Sequence, residues 1–239
     1  MVPKANNYVP VIEFYDLIAE EYDVLLNRNP QDVFIRNYIK NIFLQAVKEG
    51  TVIDFGGGTG LDLPWLCENN FKIYFCEPSA KMLLQAKKMS REKLNCNKIV
   101  FLETGNTDFH FWATKNPFPE KANAILANFS VLNCISDMNE LFLSFSKVIC
   151  PGGYIFITML DTTFTGTVQY LLKNFYLRLT GKNTAASSPN YKHKKHFVYR
   201  HSVKKIRTSA DKYFSIRDII PLRQRGLMLI KLKRNDAET

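Results

Sequence analysis

No apolar run in this 239-residue chain reaches the roughly 20 residues that a membrane-spanning helix needs. Stretches such as Tyr154-Ile-Phe-Ile-Thr-Met-Leu160 stop far short. A secretory signal is not expected either, because Glu13, Asp16, Glu20 and Glu21 stand where its apolar segment would lie. The prediction is a soluble, cytoplasmic protein without membrane insertion. The chain also lacks any CxxC pair: its five cysteines, at positions 67, 76, 96, 134 and 150, are scattered and odd in number. Such spacing argues against a disulfide framework and against structural zinc, so no metal is expected and the thiols read as small buried hydrophobes. With 46% apolar and 23% charged residues, disorder and coiled coil are excluded.

Acidic residues are missing from one long segment. Residues 162–210 hold ten basic side chains and no acid, whereas residues 1–161 hold 15 basic and 18 acidic ones. Residues 211–239 hold seven basic and four acidic, so most of the formal charge of +10 has a local origin. The same segment carries His193, His196 and His201 and a turn-prone stretch, Gly181–Pro189.

What is present is a regular alternation. Phe14, Leu17, Ile18, Tyr22 and Leu25 recur at helical steps, as do Phe34, Ile35, Tyr38, Ile39, Ile42 and Phe43, with Asn29-Pro30 between them. Strands are predicted at Thr51–Phe55, Lys72–Cys76, Lys98–Leu102, Ala122–Ala127 and Tyr154–Leu160. Helices follow Gly60 and span Ser79–Ser90 and Asp137–Val148, with Pro151-Gly152-Gly153 ending the last in a turn. Two further strands, Phe214–Leu222 and Leu227–Lys233, flank a tight link and suggest an antiparallel pair at the sheet edge. The fold class is therefore α/β: a doubly wound, mostly parallel seven-stranded sheet in a single domain, 1–239. An N-terminal helical lid over about 1–48 and a cap insertion over about 162–200 complete it.

The strongest chemical signal is Val52-Ile-Asp54-Phe-Gly56-Gly-Gly58-Thr-Gly60. It puts an acid near the end of the first strand and a glycine-rich turn at the switch point where such sheets bind ligands. A dinucleotide fingerprint from Gly56 would need glycine at 61, where the chain has leucine. Glu77 follows at the end of the second strand, where an acid can accept hydrogen bonds from both hydroxyls of a ribose. Together these specify a nucleoside that lacks a diphosphate, since Asp54 would repel phosphate but suits an amino group and a positive centre.

Those residues resemble the class I S-adenosylmethionine-dependent methyltransferases, over roughly residues 14–160, and look most like the UbiE-like, type 11/25 small-molecule group. Phe14–Asp23 is similar to the family's N-terminal helix, whose second aromatic-Asp pair, here Tyr22-Asp23, closes over the methionine part of the cofactor. Asp54, Gly56, Gly58 and Gly60 match the first motif, and Glu77-Pro-Ser the ribose-binding acid. Thr104-Gly-Asn106-Thr107 departs from the usual Gly-Asp-Ala after strand three, so the resemblance places Asn106 and Thr107 near the adenine. Ala127–Asn133 occupies the position of the motif after strand four, with Asn128 and Phe129 expected to line the pocket. The implied cofactor is S-adenosyl-L-methionine, leaving as S-adenosyl-L-homocysteine. The Asn/Asp-Pro-Pro-Tyr/Phe motif of exocyclic-nitrogen methyltransferases is absent from Asn128-Phe-Ser-Val, which argues against adenine-N6 or glutamine methylation.

Methyl transfer from a sulfonium needs in-line alignment, and a hydroxyl or protonated amine acceptor needs a base as well. Candidates for the base are His193, His196 and His201 in the basic segment, with His110 nearer the third strand; His196 is the one singled out, with Tyr15, Asn133 and Tyr199 as candidate substrate contacts. Residues 167–178 predict an amphipathic helix, and Tyr191–His201 interleaves cations with aromatics. Three readings of this segment stay open: a cap attracting an anionic small molecule, an RNA-binding surface, or a solvated basic face. A non-catalytic, cofactor-binding partner subunit is a further alternative, and the oligomeric state is not legible.

Overall fold

The computed structural model describes residues 7–27, 30–163, 190–222 and 225–236. Ahead of the sheet come three helices, α1 (Val11–Ile18), α2 (Tyr22–Asn27) and α3 (Pro30–Ala46). The alternating core follows as β1 (Thr51–Phe55), α4 (Leu63–Glu68), β2 (Lys72–Cys76), α5 (Ala80–Lys93), β3 (Ile99–Phe101), β4 (Ala122–Ala127), α6 (Met138–Val148) and β5 (Ile149–Leu160). A two-residue hairpin, β6 (Asn190–Tyr191) with β7 (Lys194–Lys195), precedes α7 (Val203–Ala210), β8 (Phe214–Leu222) and β9 (Leu227–Arg234).

Seven of the strands form one sheet in the order β3-β2-β1-β4-β5-β9-β8. The first five run parallel, and β9 is antiparallel to both β5 and β8, so the predicted antiparallel pair closes that side. Parallel strands covered on both faces are apolar throughout, and every residue of β1 is buried. Within it, Val52 packs into the core beneath α3, α4 and α5, while Ile53 and Phe55 enter the core beneath α6 and α7. The second core is aromatic: Phe55 meets Trp112 edge-on at 5.6 Å and Phe145 at 5.0 Å. Such pairs contribute about 0.5–1.5 kcal/mol beyond area burial.

Local signals set the helix ends. The Ser79 hydroxyl accepts from the Met82 N–H and Asp137 accepts from the N–H groups of Asn139 and Glu140. The first predicted helix divides into α1 and α2 at Ala19–Glu21. Pro151-Gly152-Gly153 does not form a turn after α6 as expected. It lies inside β5, whose register against β4 shifts between Ala122 and Ala124, and the Gly153 backbone sits so close to the Asn123 carbonyl that a Cβ would stand 2.9 Å away. Residues 164–189, with the helix predicted at 167–178, lie outside the described residues.

Candidate active site

Because β1, β2 and β4 run parallel, the chain leaves all three at the same edge of the sheet, and the loops there converge. The Gly56 N–H donates to the Cys76 carbonyl at 2.7 Å, tying the glycine turn to the end of β2. Gly56 has φ +68°, and a Cβ there would stand 2.5 Å from Val131 Cγ1, so only glycine fits. Across the turn, Glu77 Oε2 accepts from the Gly58 N–H at 2.9 Å and Oε1 from the Ser79 N–H at 2.8 Å. These bonds hold the carboxylate rigidly with further lone pairs open to a ligand. Burial pushes the Glu77 pKa up to about 7, opposed by the Ser79 and Gly58 amides.

Asp54 lies one layer deeper, 1% exposed, and its Oδ2 has no hydrogen-bond partner. Burial, and then Asp62 nearby, raise its pKa well above the carboxylate range, while Arg36 pulls it down. An unpartnered buried carboxylate oxygen is costly, and a ligand cation would offset that cost. Around it, Asp62 gathers three donors. Arg36 Nη1 reaches Asp62 Oδ2 at 2.5 Å, Asn128 Nδ2 reaches the same oxygen at 3.0 Å, and the Trp65 indole N–H donates to Oδ1 at 2.9 Å. Asn128 is fixed at its other end by the Thr158 hydroxyl, 2.9 Å away. After Asn128 the backbone takes two left-handed residues in succession, Phe129 at φ +53° and Ser130 at φ +69°. Non-glycine residues there cost about 1–3 kcal/mol each and gather at binding sites. The Arg36 guanidinium lies over the Phe129 ring at 4.4 Å.

Above these groups opens a cavity of about 550 Å³, the size of a cofactor site. Gly56, Gly58, Glu77, Thr107, Asn128 and Phe129 line it, and α1 with α2 adds Tyr15 and Tyr22. A smaller crevice shares Tyr22, Gly56, Gly58, Asn128 and Phe129 and reaches Asp54, Asp62 and Arg36. Burial raises the pKa of both phenols, keeping them neutral. The helices are tied down by their acids: Asp16 accepts from the Ser79 hydroxyl at 2.6 Å, and Asp23 from the Thr59 hydroxyl. The segment Asn7–Val9 bonds to Lys195, and Tyr8 stacks on Phe197 at 4.5 Å, so α1 and the β6–β7 hairpin are joined.

Five expected site residues stand elsewhere. Asn106 does not line either opening, and its carbonyl accepts from the Trp112 indole at 2.9 Å. Gly60, φ +85°, serves packing: a Cβ there would meet Leu63, Met89 and Ala86 within 3.2 Å. Asn133 and Tyr199 clamp one another rather than a ligand. The Asn133 amide donates to the Tyr199 carbonyl at 2.6 Å, its oxygen accepts from the Leu160 N–H at 3.0 Å, and Tyr199 N–H donates to the Asn133 carbonyl at 2.8 Å. His196 is 1% exposed behind Phe14 and Tyr15, with ring centroids 4.8 and 5.5 Å away, and does not line the cavity. Its Nδ1 meets the Phe197 carbonyl at 2.9 Å, its Nε2 has no partner, and burial lowers its pKa.

Sequence reasoning missed Arg36, Asp62 and Cys134. Arg36 was visible as the cation set into the apolar repeat of α3, and Asp62 as the acid just before Leu63-Pro64. Cys134, 3.8 Å from the Tyr15 hydroxyl, carried no signal. Among the described residues, no group of three His, Cys, Asp or Glu could hold a metal ion, and no helix is long and apolar enough to cross a membrane.

A family model described as "Methyltransferase domain" matches residues 28–210. An uncharacterised methyltransferase of Geobacillus kaustophilus (strain HTA426) is 30% identical over 154 residues, which are 64% of this chain and 63% of that protein. The match thus spans less than two thirds of the relative's length. The N-methyltransferase NodS of Bradyrhizobium japonicum WM9, solved with S-adenosyl-L-homocysteine, superposes with a TM-score of 0.62 at 12% identity, over 95% of this chain and 99% of that one. The DhpI complex with S-adenosylhomocysteine gives 0.62 at 14% identity, over 94% and 95%. With the family model covering most of its length, the chain belongs to the methyltransferase-domain family, and its strand order is the fold shared with the methyltransferase structures it superposes on.

Proposed function

We propose that the chain transfers the methyl group of S-adenosylmethionine to a small-molecule acceptor, within one domain whose N-terminal helices act as a lid; the cap expected over 162–200 falls mostly outside the described residues. The observation that carries this reading is the pairing of Glu77, pinned by two turn amides, with the unpartnered buried oxygen of Asp54 on either side of the glycine turn. Glu77 is the ribose acceptor, and Asp54 with Asp62 and Arg36 forms the pole for the amino-acid end. Thr107 and the turn after β3 face the base. Bound there, S-adenosylmethionine supplies an electrophilic methyl group. The protein's part is to hold the acceptor in line with that methyl, which lowers the barrier by pre-paid orientation, and to exclude water beneath α1. Tyr15 and Tyr22 provide apolar faces for this, and the enclosed volume suits a small molecule better than a polymer.

The test is incubation of the chain with S-adenosylmethionine carrying a labelled methyl group and a cell extract, followed by separation on size and nuclease sensitivity. Label in the small-molecule fraction is expected. Label in nuclease-sensitive polymer would replace this reading by an RNA substrate gripped by the cations between 192 and 207. Tight cofactor binding with no acceptor labelled would leave a partner subunit without catalysis.

A further inference from the structure

The acceptor's chemical class follows from the charge at the cavity mouth, on the premise of the methyl-transfer reading above. Of the ionisable side chains of acid or imidazole type on the described wall, Glu77 is engaged by backbone amides, and the other two, Asp108 and His110, sit at the rim with side chains 46% and 48% exposed. Asp108 Oδ1 lies 2.6 Å from His110 Nδ1 and also accepts from the His110 backbone N–H at 3.1 Å. From α6, Glu140 Oε2 comes to 3.5 Å of His110 Nε2. Phe109 stacks on the imidazole with centroids 4.1 Å apart, fixing its plane. The rim therefore presents two carboxylates around one oriented histidine, an arrangement that draws in a cation and turns an anion away. Further in, the rings of Tyr15 and Tyr22 stand nearly perpendicular, 6.2 Å between centroids, and Phe129 adds a third aromatic wall. Neutral aromatic faces attract ammonium groups.

We propose that the acceptor is an amine, which arrives as its ammonium ion, gives a proton to His110 at the rim and is methylated on nitrogen. The N–H bond breaks heterolytically, leaving its pair on nitrogen and placing the proton on the imidazole. That pair forms the new C–N bond as the C–S bond of the sulfonium breaks, its electrons returning to sulfur as a thioether. The imidazolium releases its proton to solvent. An anionic acceptor, one of the three readings of the basic segment, is disfavoured by this rim, and none of the described basic residues between 192 and 207 lines the cavity.

Calorimetry on the chain loaded with S-adenosylhomocysteine, using 2-phenylethylamine and 3-phenylpropanoate as probes, tests the recognition. The amine is expected to bind at least about tenfold more tightly than the acid, and Asp108→Asn to narrow that gap. Equal or reversed affinities overturn the inference while leaving methyl transfer standing, whereas failure to bind S-adenosylhomocysteine itself removes the premise. Labelled-methyl transfer to 2-phenylethylamine then tests His110. His110→Gln should lower the rate at pH 7 by about tenfold or more and by less at pH 9.5, where free amine is abundant. An equal loss at both pH values, a bound amine that acquires no label, or label in a base-labile methyl ester overturns it.

Discussion

Glu77 is the residue whose replacement tests the cofactor site most directly, because its burial has two opposite consequences. In the ligand-free chain its pKa stands at about 7 instead of 4.5. Between those values the folded chain holds a proton that the unfolded chain releases, so stability must fall as pH rises through that window and level off above it. At 1.36 kcal/mol per pH unit, the cost is ~3 kcal/mol by pH 8. Ligand binding runs the other way, since only the carboxylate can accept from both ribose hydroxyls while also accepting from Gly58 and Ser79. Affinity for S-adenosylhomocysteine should therefore rise about tenfold between pH 6 and pH 8, as the ionised fraction grows from ~0.1 to ~0.9. Glu77→Ala removes charge-assisted hydrogen bonds and should weaken binding at pH 8 by about 1.5–3 kcal/mol, some 10- to 150-fold. It should also flatten the pH dependence. Isothermal calorimetry at the two pH values for both proteins reads each quantity. An affinity at pH 8 equal in the two proteins, or a pH slope equal in both, refutes the placing of the ribose on Glu77.

Three other substitutions bear on the remaining parts. Gly56→Ala forces a Cβ against Val131 at a left-handed residue, so a loss of about 1–3 kcal/mol is expected in denaturant unfolding; unchanged stability would show that the turn is not held in this form. Asn133→Ala leaves the Leu160 N–H and Tyr199 carbonyl unpaired. It should cost about 1–3 kcal/mol of stability with cofactor affinity per folded molecule unchanged, and weaker affinity at full stability would restore Asn133 to the site. His196 has its pKa lowered by burial, so the unfolded chain binds its proton first as pH falls through 6.5, and stability is lost with acid below that value. His196→Phe should reduce this acid loss in urea unfolding at pH 5 against pH 7, while a changed pH profile of methyl transfer would return His196 to the chemistry.

Much of the architecture was legible because it is written in local terms. The continuous burial of Thr51–Phe55, the hydroxyl of Ser79 and the carboxylate of Asp137 act over a few residues, and the observed elements start and stop where those residues direct. The glycine turn and Glu77 were equally visible, because backbone freedom beside a strand end and an acid at the next strand end are properties of residue type and spacing. Pro151–Gly153 was misread as a turn, since the proline-glycine pattern carries no mark of the neighbouring strand that absorbs it.

What lay beyond reach was the choice among chemically equal candidates. Asn106 and Thr107 are adjacent, yet the short helical turn after β3 brings only Thr107 to the cavity wall and leaves the Asn106 carbonyl to Trp112. His110 and His196 are the same side chain, and packing against Phe14 and Tyr15 buries one while Asp108 and Glu140 hold the other at the rim. Arg36 and Asp62 are 26 residues apart and meet only because α3 lies across the start of α4. By itself, then, the sequence determined the sheet, the glycine turn and the acid at the end of β2, since short-range sterics and burial patterning specify them. The tertiary structure alone decided which polar groups share one cavity, because that depends on long-range packing that residue type does not encode.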